Sequence, residues 1–166
     1  FTKYVLDGEG IIASYIHMGG TIGVMTEVKS TADKAALQEL AFNICMQIAA
    51  SKPQVINVAD VDASQLDSER EILTAQAKNE GKPEAVIAKM VEGRIHKFYK
   101  EVCLLEQEYV RDGSLSVKQV IAEAEKQTGA SITVTRFVRY EMGEGIEKRV
   151  DNFAAEIAAE LNAVKG

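Results

Sequence analysis

Between Val61 and Leu105 the chain carries no β-branched run, and one cluster, Asn79-Glu80-Gly81-Lys82-Pro83, interrupts this polar stretch. Glycine suits the residue just past a helix end and proline suits the first position of the next helix, so the cluster reads as the tip between two antiparallel helices. A helical hairpin is therefore expected over 61–103. Its second arm sets Val86, Ile87, Met90, Val91, Ile95 and Phe98 along one side, whereas the first offers only Leu66, Ile72, Leu73 and alanines. The seam is narrow. Residues 59–80 carry two positive and six negative charges, and residues 81–101 carry five positive and three negative, so opposite signs are expected to favour pairing of the arms. Exposed pairs typically add only about 0.2 to 1 kcal/mol each, while burying one Leu, Ile or Phe adds roughly 1.5 to 3.

The flanks follow different rules. Glu9 to Lys29 holds two β-branched runs, EGIIASYIH and TIGVMTEVK, around Met18-Gly19-Gly20-Thr21, the pattern of a β-hairpin. In the second arm Ile22, Val24, Thr26 and Val28 share one side and Gly23, Met25 and Glu27 the other, which predicts a sheet buried on one face and wet on its reverse. Ser30-Thr31-Ala32-Asp33 supplies N-cap oxygens for a helix striped by Leu37, Leu40, Ala41, Ile44 and Ile48, ending near Ala50 ahead of Lys52-Pro53. A loop with Asp112-Gly113-Ser114 precedes a helix of about Ser116 to Gln127, closed by Gly129. Ser131 to Met142 reads as a third strand joining the hairpin, with Ile132, Val134, Val138, Tyr140 and Met142 sharing one parity and Arg136 interrupting it. Val150, Phe153, Ala154, Ile157, Ala158 and Leu161 stripe a terminal helix. The fold class is α+β: an antiparallel sheet packed with helices, a projecting helical hairpin and a C-terminal helix. The expected division is a core subdomain over 1–60 and 104–144, the hairpin over 61–103, and a C-terminal helical module over 145–166.

The chain is long enough, at 166 residues, to bury a real core. No apolar run approaches the roughly 20 residues of a membrane span. A formal charge of −6 without a dense Lys/Arg block argues against direct nucleic-acid binding. Cys45 and Cys103 lie far apart inside apolar segments, as buried reduced thiols do. A start at Phe1, without Met, reads as a fragment or processed product.

No catalytic constellation stands out. Gly8-Glu9-Gly10-Ile11-Ile12-Ala13 fits a dinucleotide pattern on paper but opens a strand where that pattern requires a helix, so its glycines are assigned to a loop and no cofactor is expected. His96 among Arg94, Lys97 and Lys100 is a solvated helix residue, neither histidine has metal-ligand spacing, and no serine sits in a nucleophile elbow. His17, a half-polar ring at an exposed turn, is the candidate contact residue. The classes left are an interaction protein, a structural oligomerisation module whose hairpin pairs with its own copy, and an enzyme using the Gly8 to Ala13 loop for a nucleotide.

Five stretches carry a family resemblance: GxIxSYIHxGxxIGVMxEV at Gly10 to Val28, IAASKPQ at Ile48 to Gln54, NEGKPEAVIAKMVEGRIHKF at Asn79 to Phe98, EVCLLEQEYV at Glu101 to Val110, and RFVRYEMGEGIEKRVDNFAAEIAAEL at Arg136 to Leu161. Together, in this order, they resemble the elongation factor Ts family, guanine-nucleotide exchange factors of the translational GTPase called elongation factor Tu. The resemblance implies a non-enzymatic translation elongation factor in protein biosynthesis, with the hairpin as a coiled coil and the terminal helix reaching to the GTPase. Cytoplasm is the implied compartment, or an organelle matrix or stroma. Carried over by position, His17 and Val110 with Arg111 match places that face the GTPase, Arg111 replacing an apolar residue of some members. Phe153 and Ile157 match the terminal helix, where they either dock on the GTPase or pack at home. The Asp-Phe finger that loosens the nucleotide in the family is absent after the hairpin, where Thr31-Ala32-Asp33-Lys34-Ala35 keeps only the aspartate. The chain thus resembles the second half of a longer, two-halved factor, and a homodimer is an alternative arrangement.

Overall fold

The structure is a computed structural model that describes residues 3–6 and 8–145. The expected terminal helix, with Phe153 and Ile157, lies outside the described residues. Strands β1 (Gly10–His17), β2 (Ile22–Lys29) and β5 (Thr133–Glu141) form an antiparallel sheet in the order β1-β2-β5, so the third strand joins the hairpin as the alternation implied. Gly10 is fixed by packing as well as by geometry: its φ is 143°, and a Cβ there would come within 2.2 Å of the Val28 carbonyl oxygen. Gly10, assigned to a loop from the sequence, thus opens β1 and serves a close strand approach, while Gly8 has open space around it.

Helix α1 (Lys34–Ser51) packs on one face of β1 and β2. Asp33 is its N-cap, accepting from the Ala35 amide at 2.9 Å, and Lys52 ends it in a left-handed conformation just before Pro53. Leu37, Leu40, Ala41, Ile44 and Ile48 are all buried against Ile11, Ala13, Val24 and Val28. Helix α4 (Val117–Thr128) completes the core with Val117 and Ile121, its Ser116 and Gln119 forming a reciprocal capping box and Gly129 its left-handed end.

Two sequence expectations about the sheet need correction. The register of β2 with β5 slips at Glu27/Val28: Glu27 faces Arg136 while Val28 faces Val134, so Thr135 is an extra residue on β5. Such a bulge reverses the facing of everything beyond it. Val134 therefore points into the core with Val28, but Val138 and Tyr140, of the same numerical parity, share the opposite face with Met25 and Gly23. The reverse face is solvent-accessible, as expected, but largely apolar. It carries Ile12, Ile16, Met25, Val138 and Tyr140, with Ile16 66% and Tyr140 52% exposed. Glu27, expected on a solvated side, is buried by its partners: Arg136 Nε donates to its carboxylate at 2.8 Å, Thr135 Oγ1 at 3.1 Å, and the Tyr4 ring stacks 4.2 Å from the Arg136 guanidinium. Burial pushes this carboxyl up, but the Arg136 and Thr135 hydrogen bonds and the neighbouring positive charge outweigh it and hold it below the ordinary carboxylate range.

Helices α2 (Ala63–Asn79) and α3 (Glu84–Val102) pack on each other as the expected hairpin, turning at Gly81 with φ 70°. Pro83 stands one residue earlier than expected, at the N-cap of α3. The seam is narrower than its stripe. Leu73, Ala77, Ile87 and Ile95 are buried, whereas Ile72 and Val86 remain exposed. Among the described residues no ion pair joins the arms, and Arg94 reaches Gln76 across them at 3.2 Å, so the opposite charges act at most diffusely. The main core cluster contains no side chain from α2 or α3. At its base the hairpin is stitched on by backbone, with the Gln54 and Val55 amides donating to the Val102 carbonyl and the Leu104 amide to that of Val55.

Cys45 and Cys103 are both buried free thiols, and burial pushes them up to about 12 and about 11. No helix among the described residues is long and apolar enough to cross a membrane.

Candidate functional site

His17 ends β1, and the chain then turns through a short 3-10 segment, Met18–Gly20, before β2. The bend is accessible: Tyr15 and His17 are half-buried, and Ile16 and Met18 are 66% and 68% exposed. Because strand side chains alternate, Tyr15 and His17 lie on the same face as Ile11 and Ala13, the face that α1 covers. The Tyr15 hydroxyl meets His17 Nδ1 at 2.8 Å, and the Tyr15 ring packs edge-on against Phe42 of α1, with centroids 5.4 Å apart.

Val110 and Arg111 sit at a second turn, where the sequence suggested only a loop. Strands β3 (Glu108–Tyr109) and β4 (Asp112–Ser116) pair as a small hairpin with those two residues at its tip. Asp112 accepts from the Ser114 amide and hydroxyl at 3.0 and 2.6 Å, the local turn chemistry that Asp-Gly-Ser implied. Val110 is 46% exposed. Its amide donates to Gln47 Oε1 at 2.8 Å, and Arg111 donates to Asn43 Oδ1 at the same distance.

The two turns are far apart in sequence, yet α1 gathers them. Phe42 touches the first through Tyr15 and its neighbour Asn43 holds the second through Arg111, so His17, Phe42, Arg111 and Val110 belong to one corner of the molecule. Beneath it lies a buried amide pair. Gln47 Nε2 donates to Gln107 Oε1 at 3.2 Å and to the Glu108 carbonyl, while Gln107 Nε2 donates to the Ser51 and Glu101 carbonyls at 3.2 and 2.9 Å. Both side chains are buried, and no buried side-chain polar atom in the described residues lacks a partner. A satisfied network of this kind fixes its loop, since each amide would be costly to strand without partners.

Sequence reasoning missed Phe42, Asn43 and Gln47. The signal for Gln47 was present, because position 47 falls three residues after Ile44 and one before Ile48, inside the apolar arc of α1, where a polar side chain needs a specific partner. Asp33 is engaged as a helix cap. His96 is exposed on α3. Among the described residues no group of three or more His, Cys, Asp or Glu is placed to hold a metal ion. The corner offers an imidazole, a guanidinium, a backbone turn and apolar rings, which suits recognition of another surface.

The family model described as Elongation factor TS matches residues 1–144. Elongation factor Ts of Desulforamulus reducens is 55% identical over 159 residues, covering 93% of this chain and 73% of its own length. The proteins of that name from Clostridium perfringens strain SM101 and Clostridium botulinum strain Eklund 17B are 53% and 50% identical, covering 90% and 97% of this chain. The chain spans only about half the length of these clostridial relatives, at 49% and 53%. With a family match over nearly all the described residues, and half or more of the positions identical across at least nine-tenths of its length, the chain belongs to the elongation factor Ts family.

Proposed function

We propose that this chain is the GTPase-binding half of a guanine-nucleotide exchange factor, docking on elongation factor Tu through the corner of His17, Val110 and Arg111 and performing no bond chemistry itself. The observation that carries the reading is the convergence on α1: two separated turns, each exposed, are held by adjacent helix residues Phe42 and Asn43. In this reading 1–60 and 104–144 form the binding body and 61–103 a projecting arm. Residues 145–166 form a further module, in which Phe153 and Ile157 either dock or pack at home. The net negative charge suits a protein partner rather than direct contact with nucleic acid. The implied compartment is one where translation takes place, a cytoplasm or an organelle matrix.

Exchange is thermodynamic coupling. A factor that binds the empty GTPase more tightly than its GDP form must weaken GDP by the same ratio. Asp33 is held at the start of α1 without an aromatic neighbour in sequence, so it does not supply the wedge, and the chain should bind without strongly speeding release. The test mixes the chain with elongation factor Tu carrying a fluorescent GDP. A complex with near-basal release supports the half-factor reading, and no complex at micromolar concentrations removes it.

One observation favours a second reading, self-association. The sheet face bearing Ile12, Ile16, Met25 and Val138 is packed against no helix among the described residues, and Ile16 on it is 66% exposed. Sedimentation at increasing concentration decides the matter: a persistent monomer counts against it.

A further inference from the structure

Resting on the docking reading above, we propose that Tyr15 is a positioning residue: its hydroxyl locks His17 in the Nε2–H tautomer, so that the bend presents an N–H donor to an acceptor oxygen on the partner. The argument starts from proton bookkeeping at the 2.8 Å contact between Tyr15 Oη and His17 Nδ1. A neutral imidazole carries one proton, and the nitrogen without it must accept. If the phenol donates to Nδ1, its single proton is used and the imidazole proton resides on Nε2. In the opposite arrangement Nδ1–H, a weaker donor than a phenol, would give its proton to the phenol oxygen, a weaker acceptor than an imidazole nitrogen. The first arrangement joins the better donor to the better acceptor and leaves Nε2–H pointing outward.

The other ring nitrogen is free to act. His17 Nε2 makes no hydrogen bond within the described residues, yet no described buried side-chain nitrogen or oxygen is without a partner, so Nε2 is open to solvent. Its orientation is fixed from behind. Phe42 packs edge-on against the Tyr15 ring, and the Tyr15 and His17 rings lie 5.5 Å apart at 38°. Tyr15 therefore cannot swing without losing an aromatic contact of its own. Phe42, one residue from the Arg111 anchor, ties this donor to the second turn. The acceptor it selects is a backbone carbonyl or a carboxylate; a bare N–H or an ammonium group opposite would be disfavoured.

Two measurements decide this. In the ¹⁵N spectrum of the imidazoles at a pH of about 8, above the ordinary imidazole value, His17 should show a predominantly protonated Nε2, and Y15F should shift it toward a mixture. A protonated Nδ1 in the wild type, or a spectrum unchanged in Y15F, overturns the proposal. Y15F keeps the ring against Phe42, so the fold is retained. In binding to elongation factor Tu, Y15F should weaken affinity by about 2- to 10-fold, the range of one net hydrogen bond, and should have no further effect in an H17A background. An equal loss in that background makes Tyr15 an independent structural contact and overturns the proposal. If the wild-type chain forms no complex at all, the docking reading fails, and the imidazole spectrum still decides whether Tyr15 sets the tautomer.

Discussion

The helical hairpin and the sheet core solve the same problem of burying apolar surface in opposite ways. Helices α2 and α3 bury their seam against each other: a Gly-Lys-Pro turn, one side-chain cap at Asp62 and a seam of Leu73, Ala77, Ile87 and Ile95. The core draws Ile11 and Val24 from one end of the chain, Ile48 from α1, and Leu104, Ile121 and Val134 from beyond the hairpin. Local contacts close short loops and form early, while distant ones must first overcome loop-closure entropy. The hairpin should therefore open independently of the core, and the core should set the geometry of the proposed docking corner.

Core truncation should have the largest effect. Leu37→Ala removes a side chain that is 1% exposed beneath the sheet and should cost about 3 kcal/mol, read as a drop in the urea midpoint reported equally by core and hairpin probes. Ile95→Ala, in the seam, should cost about 2 kcal/mol but act locally, accelerating amide exchange across 63–102 while β1 and β2 stay protected. Equal acceleration in both regions would break the contrast between arm and core.

Acid should act on the core through Glu27. Glu27 has its folded-state pKa depressed, so its stabilisation is present above the unfolded carboxylate value and is lost as pH falls through the lower folded one. Thermal melts below pH of about 5 should therefore show a steeper decline in the wild type than in Glu27→Gln, which should cost about 1 to 2 kcal/mol at neutral pH. The smallest effect sharpens the picture of the arm. Lys97→Glu on α3 should change stability by no more than about 0.5 kcal/mol, because no ion pair joins the arms. A loss several times larger would restore charge pairing as what holds them.

Much of the architecture was legible locally. Asp33 and Ser116 as caps, Gly129 as a helix end and the turn at Gly81 all follow from backbone chemistry within a few residues. The β5 stripe misled because one bulged residue, Thr135, is visible only once Glu27 and Arg136 are paired across more than a hundred positions. For the candidate site, His17 was legible as a half-polar ring at an exposed turn, and Val110 with Arg111 only through family likeness. Phe42 and Asn43 gave no signal at all, since their role depends on which strand and which turn α1 happens to meet.

The amino-acid order alone determined where helices start and stop, which stretches alternate, and that a two-helix arm would interrupt the sheet-forming segments. These are short-range steric and hydrogen-bonding preferences, complete within a turn or two of chain. Only the tertiary structure decided which face of β5 turns outward, that Glu27 would be buried with an arginine, and that two distant turns would share one corner. Those outcomes depend on register and packing between segments remote in sequence, and no local preference encodes which partner will arrive.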